Sequence, residues 1–112
     1  MILDCKPFTI LTNTPKFKLP NITKLTRTAD PKDYMIKLDL TNCFFHIKLH
    51  NKTNHIFGIK CQNKYFAIKN LPQGLSVSPY LMERVMTNVI NEMLKHLNVK
   101  IMIYLDYILL MG

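Results

Sequence analysis

The feature that most limits the fold of this chain is an apolar, β-forming stretch near its end, residues 99–111, which contains one carboxylate, Asp106. Burying an unpaired carboxylate inside an apolar strand costs considerable free energy. The least costly arrangement is a tight β-hairpin in which Asp106 occupies the turn. The stretch is also too short to cross a bilayer as a helix, which takes about 20 apolar residues. We therefore predict a hairpin here and no membrane partner.

A second strand is predicted at residues 35–40, where apolar and other side chains alternate. Lys37 and Asp39 fall on one face of this strand, and the apolar residues at even positions fall on the other. The pattern indicates a half-buried strand that ends at the carboxylate of Asp39. Thr41 or Asn42 is then placed to cap a short helical turn.

The remaining sequence predicts a second hairpin and one long helix. Residues 55–61 and 65–71 are β-rich and are joined by Gln62-Asn63-Lys64. Ser76 or Ser78 is expected to cap a helix whose apolar residues recur at helical spacing and which ends at Asn98. Residues 1–34 contain four prolines and are predicted to be extended, with one short strand at residues 8–11. The order of elements favours an α+β domain, an antiparallel sheet with helices on one face.

Charge is unevenly distributed along the chain. The net charge is +8, and residues 1–69 hold twelve Lys or Arg against four Asp or Glu, whereas residues 70–112 hold three of each. A basic surface either binds a polyanion or is simply solvated, and charge alone does not decide between the two. The three cysteines form no Cys-x-x-Cys pair, which favours reduced thiols and an intracellular location, cytoplasmic or nuclear.

Asp39 and Asp106 are the candidate chemical groups, because both are embedded in apolar sequence without an obvious cationic neighbour. Two carboxylates at adjacent strand ends would need a cation between them. Oxygen ligands suit Mg²⁺, and a pair of such ions can drive phosphoryl transfer. The alternative at this point is that both carboxylates merely cap turns.

Three sequence blocks favour the metal-site interpretation over turn capping. They are LDLTNCFF at residues 38–45, LPQGLSVSP at 71–79 and YLDY at 104–107, in that order. Together they resemble the three signature blocks of the reverse transcriptase domain in Pol polyproteins of retroviruses and LTR retrotransposons. The segment PKFKLPNI at residues 15–22 is similar to the one that precedes the polymerase palm in these elements.

The resemblance implies a polymerase palm-like fold and template-directed DNA synthesis at a two-metal Mg²⁺ site. Asp39 and Asp106 would be the catalytic metal ligands. The residues implied to contact the incoming nucleotide are Leu40, Phe44, Gln73, Gly74 and Lys6. The implied partners are template-primer nucleic acid, deoxynucleoside triphosphates and, in a longer chain, the rest of a Pol polyprotein.

One position departs from the family pattern. The third block of the family has two adjacent aspartates, and here the second is Tyr107. Tyrosine is neutral at pH 7, larger than aspartate and a poor Mg²⁺ ligand. The resemblance also divides the chain into a fingers remnant at residues 1–34 and a palm core at residues 35–112 that stops before the thumb. We therefore expect this isolated chain to have little or no activity as an RNA-directed DNA polymerase.

Two other interpretations stay open. The chain is either a non-catalytic nucleic-acid-binding module derived from a retroelement, which uses the basic face of residues 1–69, or a piece of a longer active polyprotein. In the second case a group elsewhere compensates for the carboxylate lost at Tyr107.

Overall fold

The computed structural model describes residues 3–112. In chain order the elements are α1 (Lys6–Leu11), α2 (Ile22–Thr28), β1 (Met35–Asp39), two short 3₁₀ turns (Cys43–His46 and Asn54–Ile56), β2 (Gly58–Cys61), β3 (Lys64–Ala67), α3 (Ser78–Leu94), β4 (Lys100–Tyr104) and β5 (Tyr107–Met111). All strand pairs are antiparallel, which confirms the predicted α+β class. Within residues 3–112 no helix is both long enough and apolar enough to cross a membrane.

The chain forms two compact units. One, here called unit 1, contains the described residues up to Thr14 together with Asn42–Ser78, and unit 2 contains Pro15–Thr41 and Pro79–Gly112. Neither boundary coincides with the expected division between residues 34 and 35. The assignment of residues 1–34 to a fingers remnant and of residues 35–112 to a palm core stays a prediction.

The prediction that residues 1–34 are extended was wrong for two segments. The expected strand at residues 8–11 is part of α1, because Pro7 in the first helical turn needs no amide partner and the Cys5 carbonyl accepts the amides of Phe8 and Thr9. Helix α2 begins after Asn21, whose side chain accepts the amide of Lys24 at 3.0 Å. Both signals are present in the sequence.

Unit 2 contains a three-stranded sheet with the order β1-β5-β4. Strands β4 and β5 form the hairpin predicted from the apolar stretch, and Leu105 and Asp106 make its two-residue turn. Strand β1 pairs only with β5 and is exposed along its whole length, so the prediction that it is half-buried was wrong. Alternation shows which side chains share a face, but whether another element covers that face depends on tertiary packing that the sequence of the strand does not specify.

Helix α3 begins at Ser78, which is fully buried and donates its hydroxyl to the Pro72 carbonyl at 2.7 Å. It ends at Leu94, four residues before the predicted end at Asn98. Its apolar residues divide into two stripes rather than forming one core face. The buried stripe is Met82, Met86 and Ile90, and the exposed stripe is Leu81, Val85, Val89 and Met93.

Unit 1 contains the predicted central hairpin in a shortened form. Its turn consists of Gln62 and Asn63, whose φ angles of 46° and 60° match a type I′ turn, and Lys64 already belongs to β3. Beyond the open end of the hairpin the two flanking segments remain side by side. The Leu49 amide donates to the Lys69 carbonyl, and the Leu71 amide donates to the Ile47 carbonyl. The core of unit 1 includes Cys5, Cys43, Leu71 and Leu75.

Candidate active site

The end of β1 and the β4–β5 turn meet in unit 2. Asp39, the last residue of β1, is the register partner of Tyr107 at the start of β5. The amide of the next residue, Leu40, donates to the carbonyl of Asp106 at 2.9 Å. The sheet therefore brings the backbone positions of Asp39 and Asp106 together at one end of its strands, as the sequence predicted.

The turn that carries Asp106 has an unusual backbone. Leu105 has a φ of 54°, whereas Asp106 has no positive φ. A positive φ at the first central residue only is the pattern of a type II′ turn, where glycine is the usual residue. A leucine held at a positive φ in such a turn costs on the order of 1–3 kcal/mol. Strain of this kind is concentrated at functional sites in proteins, which supports the turn as part of the site.

The two carboxylates differ in exposure. Asp39 is exposed and Asp106 is half-buried. Within residues 3–112 no cluster of three or more His, Cys, Asp or Glu side chains is arranged to hold a metal ion. Two carboxylates nevertheless fit Mg²⁺, which proteins commonly hold through one or two such groups while waters and substrate phosphates supply the other ligands.

Tyr107 lies next to this pair and is covered by a cation. Its side chain is 38% exposed, and the Lys37 Nζ atom lies 4.0 Å from the centroid of its ring. Lys37 and Asp39 are two residues apart in β1 and therefore share a face of the sheet. A neutral ring with an ammonium group over it thus occupies the position where the resemblance implies a third carboxylate.

Lys37 is the residue of this site that the sequence reasoning missed. The alternation in residues 35–40 had placed it on the face of Asp39, but its contact with Tyr107 depends on the register between β1 and β5. That register joins segments about 70 residues apart in the chain, and periodicity within one strand does not determine it.

Leu40 is half-buried in unit 2, and its amide is already engaged by Asp106. The other residues implied to bind nucleotide belong to unit 1. Phe44 is half-buried in the first 3₁₀ turn, and Lys6 is exposed at the start of α1, where its amide donates to the Asp4 carboxylate.

Gln73 and Gly74 support a close backbone contact within unit 1. The Gln73 carbonyl accepts the amide of Leu3 at 3.0 Å. Gly74 has a φ of 104°, and a Cβ atom placed on it would lie 2.0 Å from the Leu3 carbonyl oxygen. Gly74 is therefore required by the fold itself, whatever else it contacts.

Comparison with known proteins places these features in a family. Residues 2–112 match the family described as reverse transcriptase (RNA-dependent DNA polymerase). The chain is 26% identical over 96 residues to Protein P of duck hepatitis B virus (strain China) and 28% identical over 96 residues to Protein P of heron hepatitis B virus. Each match covers 86% of this chain but 12% of the viral protein. The chain thus spans a small part of the length of these relatives.

A Gag-Pol polyprotein is also similar. That of walleye dermal sarcoma virus is 25% identical over 88 residues, a match that covers 79% of this chain and 5% of the polyprotein. A segment of a Gag-Pol polyprotein is therefore among the relatives of this chain.

Solved structures share the fold. The foamy viral protease-reverse transcriptase in complex with double-stranded DNA matches with a TM-score of 0.78 and 22% identity, over 98% of this chain and 19% of the other. The native protease-reverse transcriptase of prototype foamy virus matches with a TM-score of 0.74 and 22% identity, over 96% of this chain and 14% of the other. The predicted palm-like architecture, an antiparallel sheet combined with helices, is thereby confirmed.

Proposed function

This chain belongs to the reverse transcriptase (RNA-dependent DNA polymerase) family, and we propose that it forms the part of such an enzyme that carries two metal-binding carboxylates. The reaction of the lineage joins a primer 3′-hydroxyl to the α-phosphorus of a deoxynucleoside triphosphate. A new phosphodiester bond forms, the bond to the β-phosphate breaks, and pyrophosphate leaves. The observation that carries the proposal is the position of Asp39 at the end of β1, next to the β4–β5 turn that holds Asp106, within a reverse transcriptase fold.

Family membership implies dependence on divalent metal ions in general. We propose that Asp39 and Asp106 are the protein ligands for Mg²⁺ in this chain, in a site of the two-metal type. When bound, Mg²⁺ neutralises charge that develops on the transferring phosphoryl group. The contribution of the chain itself is to hold both carboxylates at one sheet edge through the β1–β5 register and the Leu40–Asp106 hydrogen bond.

The site is proposed to be impaired by Tyr107. A third carboxylate would add negative charge where the metal ions bind, but the tyrosine is neutral and has the ammonium group of Lys37 over its ring. Both features disfavour the accumulation of positive charge next to Asp39. We therefore propose that this chain performs the chemistry of its lineage slowly or not at all.

Nucleotide contacts are proposed for Lys6, Phe44, Gln73 and Gly74, on the strength of the family resemblance. Phe44 would act as an aromatic gate against a ribose 2′-hydroxyl, and Lys6 would offer a charge to the triphosphate without the bidentate geometry of arginine. Leu40 would contribute its position directly after β1 rather than its amide, which already donates to the Asp106 carbonyl.

The proposed partners are template-primer nucleic acid, deoxynucleoside triphosphates and the remainder of a Pol polyprotein. The foamy viral relative bound to double-stranded DNA and the Gag-Pol relative support the first and the last of these. An intracellular location, cytoplasmic or nuclear, also remains a proposal.

The second candidate function is nucleic-acid binding without catalysis. The pairing of Lys37 with Tyr107 favours it, because a cation and an aromatic ring beside Asp39 suit a phosphate and a base better than a metal ion. Primer extension distinguishes the two functions.

The decisive experiment transfers residues 35–112 into the matching segment of a complete polymerase of this family. Metal ions contribute several kcal/mol to such transition states, so we expect Tyr107→Asp to accelerate primer extension by the hybrid about 100-fold or more. Asp39→Asn in the accelerated hybrid is the matched control and should abolish extension. Equal rates of extension by the hybrids with and without Tyr107→Asp would refute the proposed impairment, and extension that survives Asp39→Asn would refute the proposed ligand.

A further inference from the structure

The hairpin of unit 1 carries an unusual balance of charge. Residues 42–78 contain five lysines and three histidines but no aspartate or glutamate. Two of the lysines, Lys60 and Lys64, lie on the hairpin itself and are exposed. No carboxylate within this segment is available to neutralise them, so the hairpin has a positive potential that attracts polyanions.

Exposed aromatic rings accompany these cations. Tyr65 is 79% exposed and Phe66 is 53% exposed, both in β3. Tyr65 is the direct register partner of Lys60, and the Lys60 Nζ atom lies 5.7 Å from the centroid of the tyrosine ring. Cross-strand partners share a face of the hairpin, so a ring and a cation are presented side by side to solvent.

The neighbouring pair on the same face is small. Gly58 pairs with Ala67, two residues along each strand from Lys60 and Tyr65. A Cβ atom placed on Gly58 would meet only the Phe66 carbonyl oxygen, at 3.9 Å. Since diagonal neighbours in a hairpin lie within reach of an aromatic side chain, a small pair leaves open space beside the Tyr65 ring. That space is suited to a flat group.

We infer that this hairpin surface, formed by Lys60, Tyr65 and the small Gly58–Ala67 pair, binds single-stranded nucleic acid. One unpaired base stacks on the Tyr65 ring over the Gly58–Ala67 pair, and the Lys60 ammonium group contacts a phosphate. A paired base in a duplex does not offer its face to such a ring, whereas a single strand does. Binding is independent of sequence, because every base has a π-face. The inference rests on the proposed nucleic-acid partner but not on catalysis.

The test measures the affinity of the full chain for fluorescein-labelled dT₁₂ and rU₁₂ by fluorescence anisotropy at several salt concentrations. Tyr65→Ala should weaken binding at least about fivefold, since stacking on an aromatic side chain contributes that much or more per base. Tyr65→Phe keeps the ring and should bind as the parent chain does. Gly58→Val fills the space beside the ring without changing charge, and it should weaken binding in the same direction as Tyr65→Ala.

Lys60 is tested by the salt dependence of binding. For single strands the slope of log K against log salt is about 0.7 per neutralised phosphate, so Lys60→Gln should reduce it by about 0.7. The matched aromatic control is Tyr34→Ala, which removes a ring that is 87% exposed in unit 2 and should leave both affinity and slope unchanged. Urea unfolding of every variant checks that the fold is retained.

The outcomes separate this inference from the proposed function. If the chain binds the oligonucleotides and Tyr65→Ala binds equally well, the hairpin surface is wrong while nucleic-acid binding stands. The hairpin surface is also wrong if Tyr34→Ala loses as much affinity as Tyr65→Ala does. If the parent chain binds neither oligonucleotide at low salt, the surface and the nucleic-acid partner of this chain are both wrong. The polymerase proposal is judged by primer extension alone.

Discussion

Replacing Gly74 with alanine should destabilise the chain by about 2–3 kcal/mol. The φ of 104° at Gly74 costs a residue with a Cβ atom about 1–2 kcal/mol. The new Cβ atom would also lie 2.0 Å from the Leu3 carbonyl oxygen, so the two segments must separate. Separation sacrifices the hydrogen bond from the Leu3 amide to the Gln73 carbonyl, a net contribution of about 1 kcal/mol. The total is a large fraction of the roughly 5–15 kcal/mol that stabilises a typical domain.

Urea unfolding followed by circular dichroism measures this effect, and the midpoint should fall by about 1 M or more. Gly58→Ala is the matched control, because a Cβ atom there meets only an oxygen at 3.9 Å and φ is not positive. It should change the stability by no more than about 1 kcal/mol in either direction. If Gly74→Ala unfolds at the same urea concentration as Gly58→Ala, the close approach of Leu3 is wrong. Gly74 would then be explained by contact with nucleotide alone.

Two further predictions concern titration and thiol reactivity. Hydrogen bonds from the Asp30 amide and the Lys100 ammonium group lower the pKa of Asp33 in the folded chain. The Asp33 carboxylate therefore stabilises the fold at pH values above its unfolded pKa of about 3.9. This stabilisation is lost as the pH falls through the lower pKa of the folded chain. The stability difference between the parent chain and Asp33→Asn, measured by thermal unfolding, should therefore be constant from about pH 5 to 7 and shrink below about pH 4; no change with acid would contradict the contact. Among the three cysteines, exposed Cys61 should react first with N-ethylmaleimide, because Cys5 and Cys43 are buried. The pKa of the Cys5 thiol is also raised, mainly by burial and in addition by the neighbouring charge of Asp4. Mass mapping that finds Cys5 or Cys43 modified as fast as Cys61 would contradict the packing of unit 1.

The β4–β5 hairpin and the meeting of Asp39 with Asp106 could be predicted from the sequence. A single carboxylate in an apolar run has one inexpensive location, the turn. The resemblance of the three blocks to a polymerase palm implied that Asp39 and Asp106 share a site. The long helix was predicted for a similar reason, since a 3.6-residue period extends over many residues in α3.

Features that depend on tertiary packing were not predicted. Residues 8–11 have a β-forming composition, yet the Pro7 position and the Cys5 carbonyl set them in a helix. The exposed stripe of α3 has the same spacing as the buried one, so periodicity alone counted both as core. The contact between Lys37 and Tyr107 depends on a register between distant strands, and the close approach of Leu3 to Gly74 depends on the path of the backbone.

The central claim is that Asp39 and Asp106 hold a divalent metal ion and that Tyr107 weakens the site. Mn²⁺ titration followed by NMR tests it directly, because this paramagnetic ion broadens the amide resonances of residues close to it. The resonances of Leu40, Leu105 and Tyr107 should broaden first, and the effect should disappear in Asp106→Asn.

Tyr107→Asp adds one carboxylate charge at the site. Even at the dielectric constant of water, a single charge about 4 Å from a divalent ion contributes about 2 kcal/mol, so Mn²⁺ affinity should rise at least tenfold. Lys37→Gln, which removes the cation over the ring, should raise the affinity by a smaller factor. Selective broadening that begins at Leu40 and Leu105 and strengthens in Tyr107→Asp is the result expected here. Broadening that starts elsewhere, or that persists unchanged in Asp106→Asn, would contradict the account.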